Sequence, residues 1–139
     1  MYLAQFNVAH AIDDLDSETL KEFVDSLDYV NGIAETSPGF IARNLEPVTD
    51  ITGFDLLDDK RTIYTLTLWQ DIASLKNFLF NSPHLSFYKQ KKRWFMPTNE
   101  ANYVLWWRQD KNLPTLEEAV VKLMELREQG SNDDVFTLR

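Results

Sequence analysis

Apolar and polar residues alternate along the first segment of the chain, Tyr2–Ala9. Successive side chains of a strand point to opposite faces, so this period of two predicts a strand. One face carries Tyr2, Ala4, Phe6 and Val8, and the other, more polar face carries Leu3, Gln5 and Asn7. The same criterion predicts strands over Phe40–Glu46, Thr62–Trp69 and Asn102–Arg108, and it places Phe40, Ala42 and Asn44 on one face of the second strand.

Apolar residues at helical spacing predict four helices between and after these strands. The first runs from about Glu18 to Glu35 and ends at Ser37-Pro38-Gly39, and the second follows the cap residue Asp71 to Asn81. A third restarts at His84 behind Ser82-Pro83 and keeps its spacing to Phe95. The last follows a capping box formed by Thr115 and Glu118 and stops at Gly130, after which Val135-Phe136 should dock on the body or pair as a short strand.

The order strand, helix, strand, strand, helix, strand is that of the ferredoxin-like split β-α-β arrangement. We therefore predict an α+β fold with a four-stranded antiparallel sheet, two helices on one face and an added C-terminal helix. The segment from Pro47 to Arg61 is rich in Asp and is read as a loop. No linker, repeat or low-complexity segment divides the chain, so residues 1–139 are expected to form one domain.

The sheet face away from the two helices is predicted to be too apolar to meet water. Depending on register, it presents Leu3, Ile63, Trp69 and either Tyr103 with Trp107 or Trp106. An uncovered apolar face argues for a partner, and the simplest cover is a second copy of the chain about a twofold axis. This predicts a homodimer.

Composition narrows the classes of function. The chain has no cysteine, which excludes thiolate catalysis and disulfides, and its net charge of −8 argues against nucleic-acid or anionic-membrane binding. Residues 1–60 carry 3 basic and 13 acidic side chains, whereas residues 61–139 carry 11 and 9. The first residues form no signal peptide and no apolar run is long enough for a membrane helix, so we expect a cytoplasmic protein.

His84 and Arg93 are the candidate catalytic residues near the only basic cluster. His84 is either a general base, an axial haem ligand or simply a residue that fixes the Pro83 corner. Lys89, Lys91, Lys92 and Arg93 either attract an anionic ligand or form a solvated helix face. Two separated histidines give no metal-binding pattern, so no metal is expected.

Polar residues inside the strands and four tryptophans are the candidate ligand-binding groups. Gln5, Asn7, Thr65 and Thr67 would give converging hydrogen-bonding groups in an apolar cavity, and Trp69, Trp94 and Trp106 would line it. Core packing and dimer burial explain the tryptophans equally well. Trp106 and Trp107 are adjacent and must face opposite sides of a regular strand. No nucleophile elbow or phosphate-binding loop is present.

Several motifs together resemble the uncharacterised, mainly bacterial family known as domain of unknown function 3291. They are Tyr2-Leu3-Ala4-Gln5-Phe6-Asn7, Ser37-Pro38-Gly39-Phe40, Ser82-Pro83-His84, Arg93-Trp94-Phe95, Leu105-Trp106-Trp107 and Pro114-Thr115-Leu116-Glu117-Glu118-Ala119. The resemblance covers nearly the whole chain. It implies the dimeric α/β-barrel superfamily, with a ferredoxin-like protomer and a homodimer whose two sheets form a barrel.

The resemblance also implies a class of function. The superfamily includes antibiotic-biosynthesis monooxygenases, which suggests cofactor-independent oxygenation of a small apolar or weakly anionic molecule, bound between sheet and helices. His84, Arg93 and Asn7 would then position or deprotonate the substrate. The alternatives are a non-enzymatic dimeric barrel protein, or a haem protein that uses His84.

Overall fold

The computed structural model describes residues 1–44 and 61–138. Four strands, β1 (Tyr2–His10), β2 (Phe40–Arg43), β3 (Thr62–Trp69) and β4 (Tyr103–Arg108), form one antiparallel sheet in the order β2-β3-β1-β4. The helices are α1 (Glu18–Thr36), α2 (Ile72–Asn81), α3 (His84–Lys89) and α4 (Leu116–Gln129). The predicted α+β, ferredoxin-like fold class with an added C-terminal helix is confirmed. The predicted loop over Pro47–Arg61 and the end of the predicted second strand lie outside the described residues, Arg61 excepted.

Local signals place the helix boundaries where the sequence predicts them. The side chains of Ser17, Asp71 and Thr115 each accept a backbone N–H from the first turn of the helix that follows. Ser82 Oγ accepts the N–H of His84, and Pro83 has helical backbone angles. The third helix is shorter than predicted, since α3 ends at Lys89 and a 3₁₀ turn over Lys91–Arg93 follows.

Helices α1 and α2 cover the sheet face that carries Leu3, Trp69 and Leu105. These residues pack with Ala34 of α1 and with Leu75 and Phe78 of α2 in one buried cluster. The prediction that Leu3, Ile63 and Trp69 face away from the two helices is therefore wrong. Alternation along a strand shows which side chains share a face, but both faces of this sheet are apolar enough to receive helices.

The opposite sheet face is covered by α4. Ala119, Leu123 and Leu126 of that helix pack against a second cluster of strand residues, all of them buried: Ala4, Phe6, Val8, Tyr64, Leu66, Leu68, Val104 and Trp106. The chain thus supplies its own cover for this face. The argument that an uncovered sheet face requires a second copy does not hold for the described structure.

The C-terminal tail extends the sheet at its β4 edge. Leu105 and Phe136 exchange two backbone hydrogen bonds, with N–O distances of 2.8 and 3.0 Å. Val135 is buried in the α4 cluster, and Phe136 packs on the α1/α2 side. The prediction that Val135-Phe136 dock or pair as a short strand is confirmed.

A register shift in β2 overturns the predicted faces of that strand. Phe40 pairs with Trp69, but Ala42 pairs with Leu68, so one extra residue is inserted between them. Phe40 consequently packs on the α1/α2 side, whereas Ile41 and Ala42 both pack toward the α4 cluster. A bulge of this kind changes the facing of every residue beyond it.

Candidate functional site

Four polar side chains lie together on the α1/α2 face of the sheet. The register pairs Gln5 with Thr67 and Asn7 with Thr65, and residues directly opposite in an antiparallel pair share a face. Tyr103 and Leu105 continue the same face on β4. All four polar side chains are partly exposed, although the neighbouring positions of the opposite face are buried. Solvent therefore reaches the middle of this sheet face.

Helix α1 lies on the same side of the sheet as these residues. Its apolar stripe is buried near its two ends, at Leu20 and Ala34. Leu20 belongs to a small cluster with Ala11 and Trp94, and Ala34 belongs to the cluster of Leu3 and Trp69. Leu27 lies between the two ends on the same stripe, is partly exposed and packs against none of the buried clusters. We call the four partly exposed polar residues of this sheet face, Gln5, Asn7, Thr65 and Thr67, the polar cleft.

A hydrogen-bonded chain runs along one side of the polar cleft. Trp69 Nε1 donates to Thr67 Oγ1 at 3.0 Å, and Thr67 Oγ1 donates to Gln5 Oε1 at 2.9 Å. Trp69 is fully buried, so this chain satisfies an indole N–H that would otherwise be costly to bury. Asn7 and Thr65 make no side-chain hydrogen bond to any described residue, and their polar atoms are left for solvent or a ligand.

His84 is linked to Trp69, the buried end of this hydrogen-bonded chain, through aromatic contacts. Its ring lies 4.8 Å from that of Phe78, which stacks on Trp69 at 5.2 Å and an interplanar angle of 27°. His84 Nδ1 lies 3.4 Å from the carbonyl oxygen of Leu79. Burial lowers the pKa of His84, and the contact with the Leu79 carbonyl opposes this shift more weakly. The imidazole is therefore predominantly neutral at neutral pH.

Arg93 lies apart from the polar cleft. Its guanidinium binds Glu22 on the outside of α1 at 2.7 Å, contacts Gln90, and lies over the Trp94 ring at 5.3 Å. More than half of its side chain is exposed. The structure does not bring Arg93 into contact with Asn7 or His84. The other basic residues of the cluster, Lys89, Lys91 and Lys92, are also exposed, as expected for a solvated helix face.

The four tryptophans occupy different environments. Trp69 borders the polar cleft, whereas Trp106 lies on the opposite sheet face and donates Nε1 to Glu118 at 2.8 Å. Trp69 and Trp106 therefore cannot line one cavity, contrary to the prediction from the sequence. Trp94 is buried with Ala11 and Leu20 at the end of α1, and its Nε1 is the one buried side-chain polar atom without a partner in the described part of the chain.

Trp107 and Tyr103 share the face of the polar cleft but are absent from the predicted site. Trp107 pairs with Leu3 and is 36% exposed, and its ring lies 6.2 Å from Phe136 of the tail. The Tyr103 hydroxyl accepts the N–H of Leu138 at 3.1 Å. Alternation along β4 places both residues on the same strand face. That face can be recognised as the one with the polar cleft only when the face covered by α1 and α2 is known.

Three further observations on the described residues concern metal binding, a surface groove and membrane-crossing helices. No group of three or more His, Asp or Glu side chains within 1–44 and 61–138 is placed to hold a metal ion. A surface groove of 560 Å³ on the outer side of α1, next to Phe87, is lined by charged residues and contains none of the predicted site residues. In the same ranges, no helix has the length and apolar character needed to cross a bilayer.

The described residues form a ferredoxin-like α+β fold, and the polar cleft lies on the sheet face that α1 and α2 cover. The chain belongs to the family described as domain of unknown function (DUF3291), whose model matches residues 2–139. The resemblance seen in the sequence is thereby confirmed. No curated protein matches the chain.

Solved structures show the same fold at low sequence identity. SnoaB, a cofactor-independent oxygenase from Streptomyces nogalater, has 13% identity and a TM-score of 0.56, with 82% of this chain and 98% of SnoaB covered. PA3566 from Pseudomonas aeruginosa has 15% identity and a TM-score of 0.56, with coverages of 78% and 95%. NE2512 from Nitrosomonas europaea, a protein of unknown function, has 15% identity and a TM-score of 0.55, with coverages of 82% and 95%.

Proposed function

We propose that the protein binds a small, mainly apolar molecule in the polar cleft and oxygenates it without a cofactor. The observation that carries the proposal is the row of partly exposed polar side chains, Gln5, Asn7, Thr65 and Thr67, on the sheet face that α1 and α2 cover. Apolar walls with a few converging polar groups are typical of small-molecule sites. The fold shared with SnoaB suggests the reaction class by analogy.

The reaction class sets requirements for the substrate. Without a flavin or a metal, the substrate itself must supply the electrons that reduce dioxygen. A CH2 group that is conjugated with a ketone through aromatic rings, as in an anthrone, meets this requirement after loss of one proton. The CH2 group and O2 then give C=O and H2O, with four electrons passing from the carbon to the two oxygen atoms. The protein must bind such a substrate, favour its deprotonated form and orient it.

His84 and Asn7 are the residues that we assign to these tasks, one at each end of the cleft. His84 is linked through Phe78 to Trp69, which pairs with Leu3, and Asn7 lies four residues farther along β1, so the substrate would have to span that distance. A neutral imidazole can accept the proton, and burial keeps His84 neutral near pH 7. The unpaired Asn7 amide can hold the enolate oxygen that forms. Arg93 has no part in this proposal, because its guanidinium is engaged by Glu22 at the protein surface.

Oxygen uptake with an anthrone as probe tests the proposal. We expect uptake above the protein-free rate, with a loss of at least about tenfold in the Asn7→Ala and His84→Ala variants. Lys76→Ala, an exposed change on α2, is the matched control and should retain the wild-type rate. Saturable binding of the anthrone without uptake above background would leave a binding protein, and absence of binding would contradict the proposal altogether.

Homodimer formation is a separate part of the proposal and is supported by the dimeric-barrel class of the fold. Helix α4 covers the sheet face opposite α1 and α2, so α4 would lie at the dimer interface. Its side chains Val121 and Met124 are 58% and 39% exposed. Sedimentation should give about twice the chain mass of 16.3 kDa. A Val121→Glu, Met124→Glu double variant should sediment as a monomer, and a wild-type monomer at micromolar concentration would contradict the dimer.

The alternatives from the sequence remain distinguishable. A non-enzymatic dimeric barrel protein would show the dimer mass without binding or oxygen uptake. Haem binding through His84 stays a prediction that depends on this single histidine, whose Nε2 would be the ligand atom. Haem titration checks it, because a bound haem gives a Soret band that the His84→Ala variant would lack.

A further inference from the structure

The hydrogen-bonded chain of the polar cleft has a fixed direction. An indole N–H can only donate, so Thr67 Oγ1 must accept from Trp69 Nε1. Thr67 has a single hydroxyl proton, and Gln5 Oε1 is its acceptor among the described residues. With the Gln5 amide turned around, that proton would lose its acceptor. Trp69 and Thr67 together therefore hold the Gln5 amide with its oxygen toward Thr67.

The other end of the Gln5 amide is consequently a donor. Nε2 makes no hydrogen bond to a described residue. It is also absent from the buried unpaired atoms of the described chain, where only Trp94 Nε1 occurs. Nε2 must then be reached by solvent, and Gln5 itself is partly exposed on the face under α1. Gln5 Nε2 thus presents two N–H donors to the cleft.

We infer that Gln5 determines specificity by selecting a ligand with a hydrogen-bond acceptor, a ketone or phenolate oxygen on an apolar ring system. The inference rests on the proposed function, since it concerns the ligand of the same cleft. A ligand with a donor at this position would face another donor and would leave both groups unpaired, which is costly in a partly buried site. Thr67 is a positioning residue, because it acts through the orientation of Gln5.

Two probes that share one ring system test the inference. Naphthalene has no polar atom, and 2-acetylnaphthalene adds a ketone that only accepts hydrogen bonds. We expect the wild-type protein to bind the ketone about three- to tenfold more tightly than naphthalene, the effect of one added hydrogen bond. The ketone should also shift the Gln5 side-chain amide signals in a ¹⁵N NMR titration, whereas naphthalene should leave them nearly unchanged.

Two variants separate the polarity of Gln5 from its size. Gln5→Glu keeps an acceptor for Thr67 but presents a carboxylate oxygen to the cleft, so the preference for the ketone should disappear while naphthalene binding is retained. Thr67→Val frees the Gln5 amide and should reduce the preference. Equal affinity of the two probes for the wild type would overturn the inference and leave a binding cleft. Failure of both probes to bind would overturn the proposed function together with the inference.

Discussion

The indole of Trp106 in β4 donates a hydrogen bond to the carboxylate of Glu118 in the first turn of α4, with an Nε1–Oε2 distance of 2.8 Å. The same carboxylate accepts from Arg108 Nε at 3.0 Å. Thr115 caps the helix by accepting the Glu118 N–H, as predicted, but Glu118 does not return a side-chain contact to Thr115. The capping box is therefore only half formed, and Glu118 instead holds α4 against the sheet.

Replacing Glu118 should show how much these hydrogen bonds contribute to the free energy of unfolding. Glu118→Ala leaves the buried Trp106 N–H without an acceptor and should lower the free energy of unfolding by about 1–3 kcal/mol. Glu118→Gln retains an acceptor for Trp106 and should cost less. Urea denaturation measures both, with Glu117→Ala, an exposed neighbour, as the control. An equal loss in the Ala variants at 117 and 118 would contradict the role of Glu118.

Thr67 and Thr65 provide a matched pair for the polar cleft. Thr67→Val removes both hydrogen bonds of its hydroxyl and leaves Trp69 Nε1 unpaired in a fully buried side chain, so we expect a loss of about 1–3 kcal/mol in unfolding free energy. Thr65→Val removes a hydroxyl without a partner in the described residues and should change stability by less than about 0.5 kcal/mol. Similar losses of unfolding free energy in the two variants, measured by chemical denaturation, would show that the hydrogen bonds of Thr67 contribute little to stability.

His84 should make the stability depend on pH. Its pKa is lower in the folded protein than the ordinary value of 6.5, so below that value the unfolded chain takes up the proton first. The contribution of a neutral His84 is complete above about pH 6.5 and decreases as the pH falls toward the folded-state pKa. Urea unfolding at pH 7.5 and 5.5 should therefore show a larger acid-induced loss for the wild type than for His84→Gln. Parallel losses would contradict this assignment.

Gly39 is required where β2 approaches the start of α2. Its φ of +82° is a left-handed conformation, and a Cβ at this position would overlap Oγ and Cβ of Ser74. Gly39→Ala should therefore destabilise the fold by about 1–3 kcal/mol or more in thermal and urea unfolding. Gly32→Ala, within α1 with no atom near the added methyl group, should instead be neutral or stabilising by up to about 1 kcal/mol. Equal effects would exclude the steric explanation.

The sequence alone determined the elements, their order and the side chains that share a strand face. Period-two alternation places Gln5 with Asn7 and separates Trp106 from Trp107, because a strand without a bulge allows no other arrangement. Capping residues such as Ser17 and Asp71 fix helix starts locally, so they too can be read directly. The order of the elements predicted the ferredoxin-like fold class, and the family-specific motifs added the family.

Only the tertiary structure decided which sheet face meets which helices. Alternation is symmetric between the two faces, and the choice depends on long-range packing of α1, α2 and α4 against apolar faces of similar character. The bulge between Phe40 and Ala42, the use of Glu118 by Trp106 and Arg108, and the separation of Arg93 from the cleft likewise arise from contacts between distant segments. These contacts place Gln5, Asn7, Thr65 and Thr67 under α1, and no local pattern specifies them.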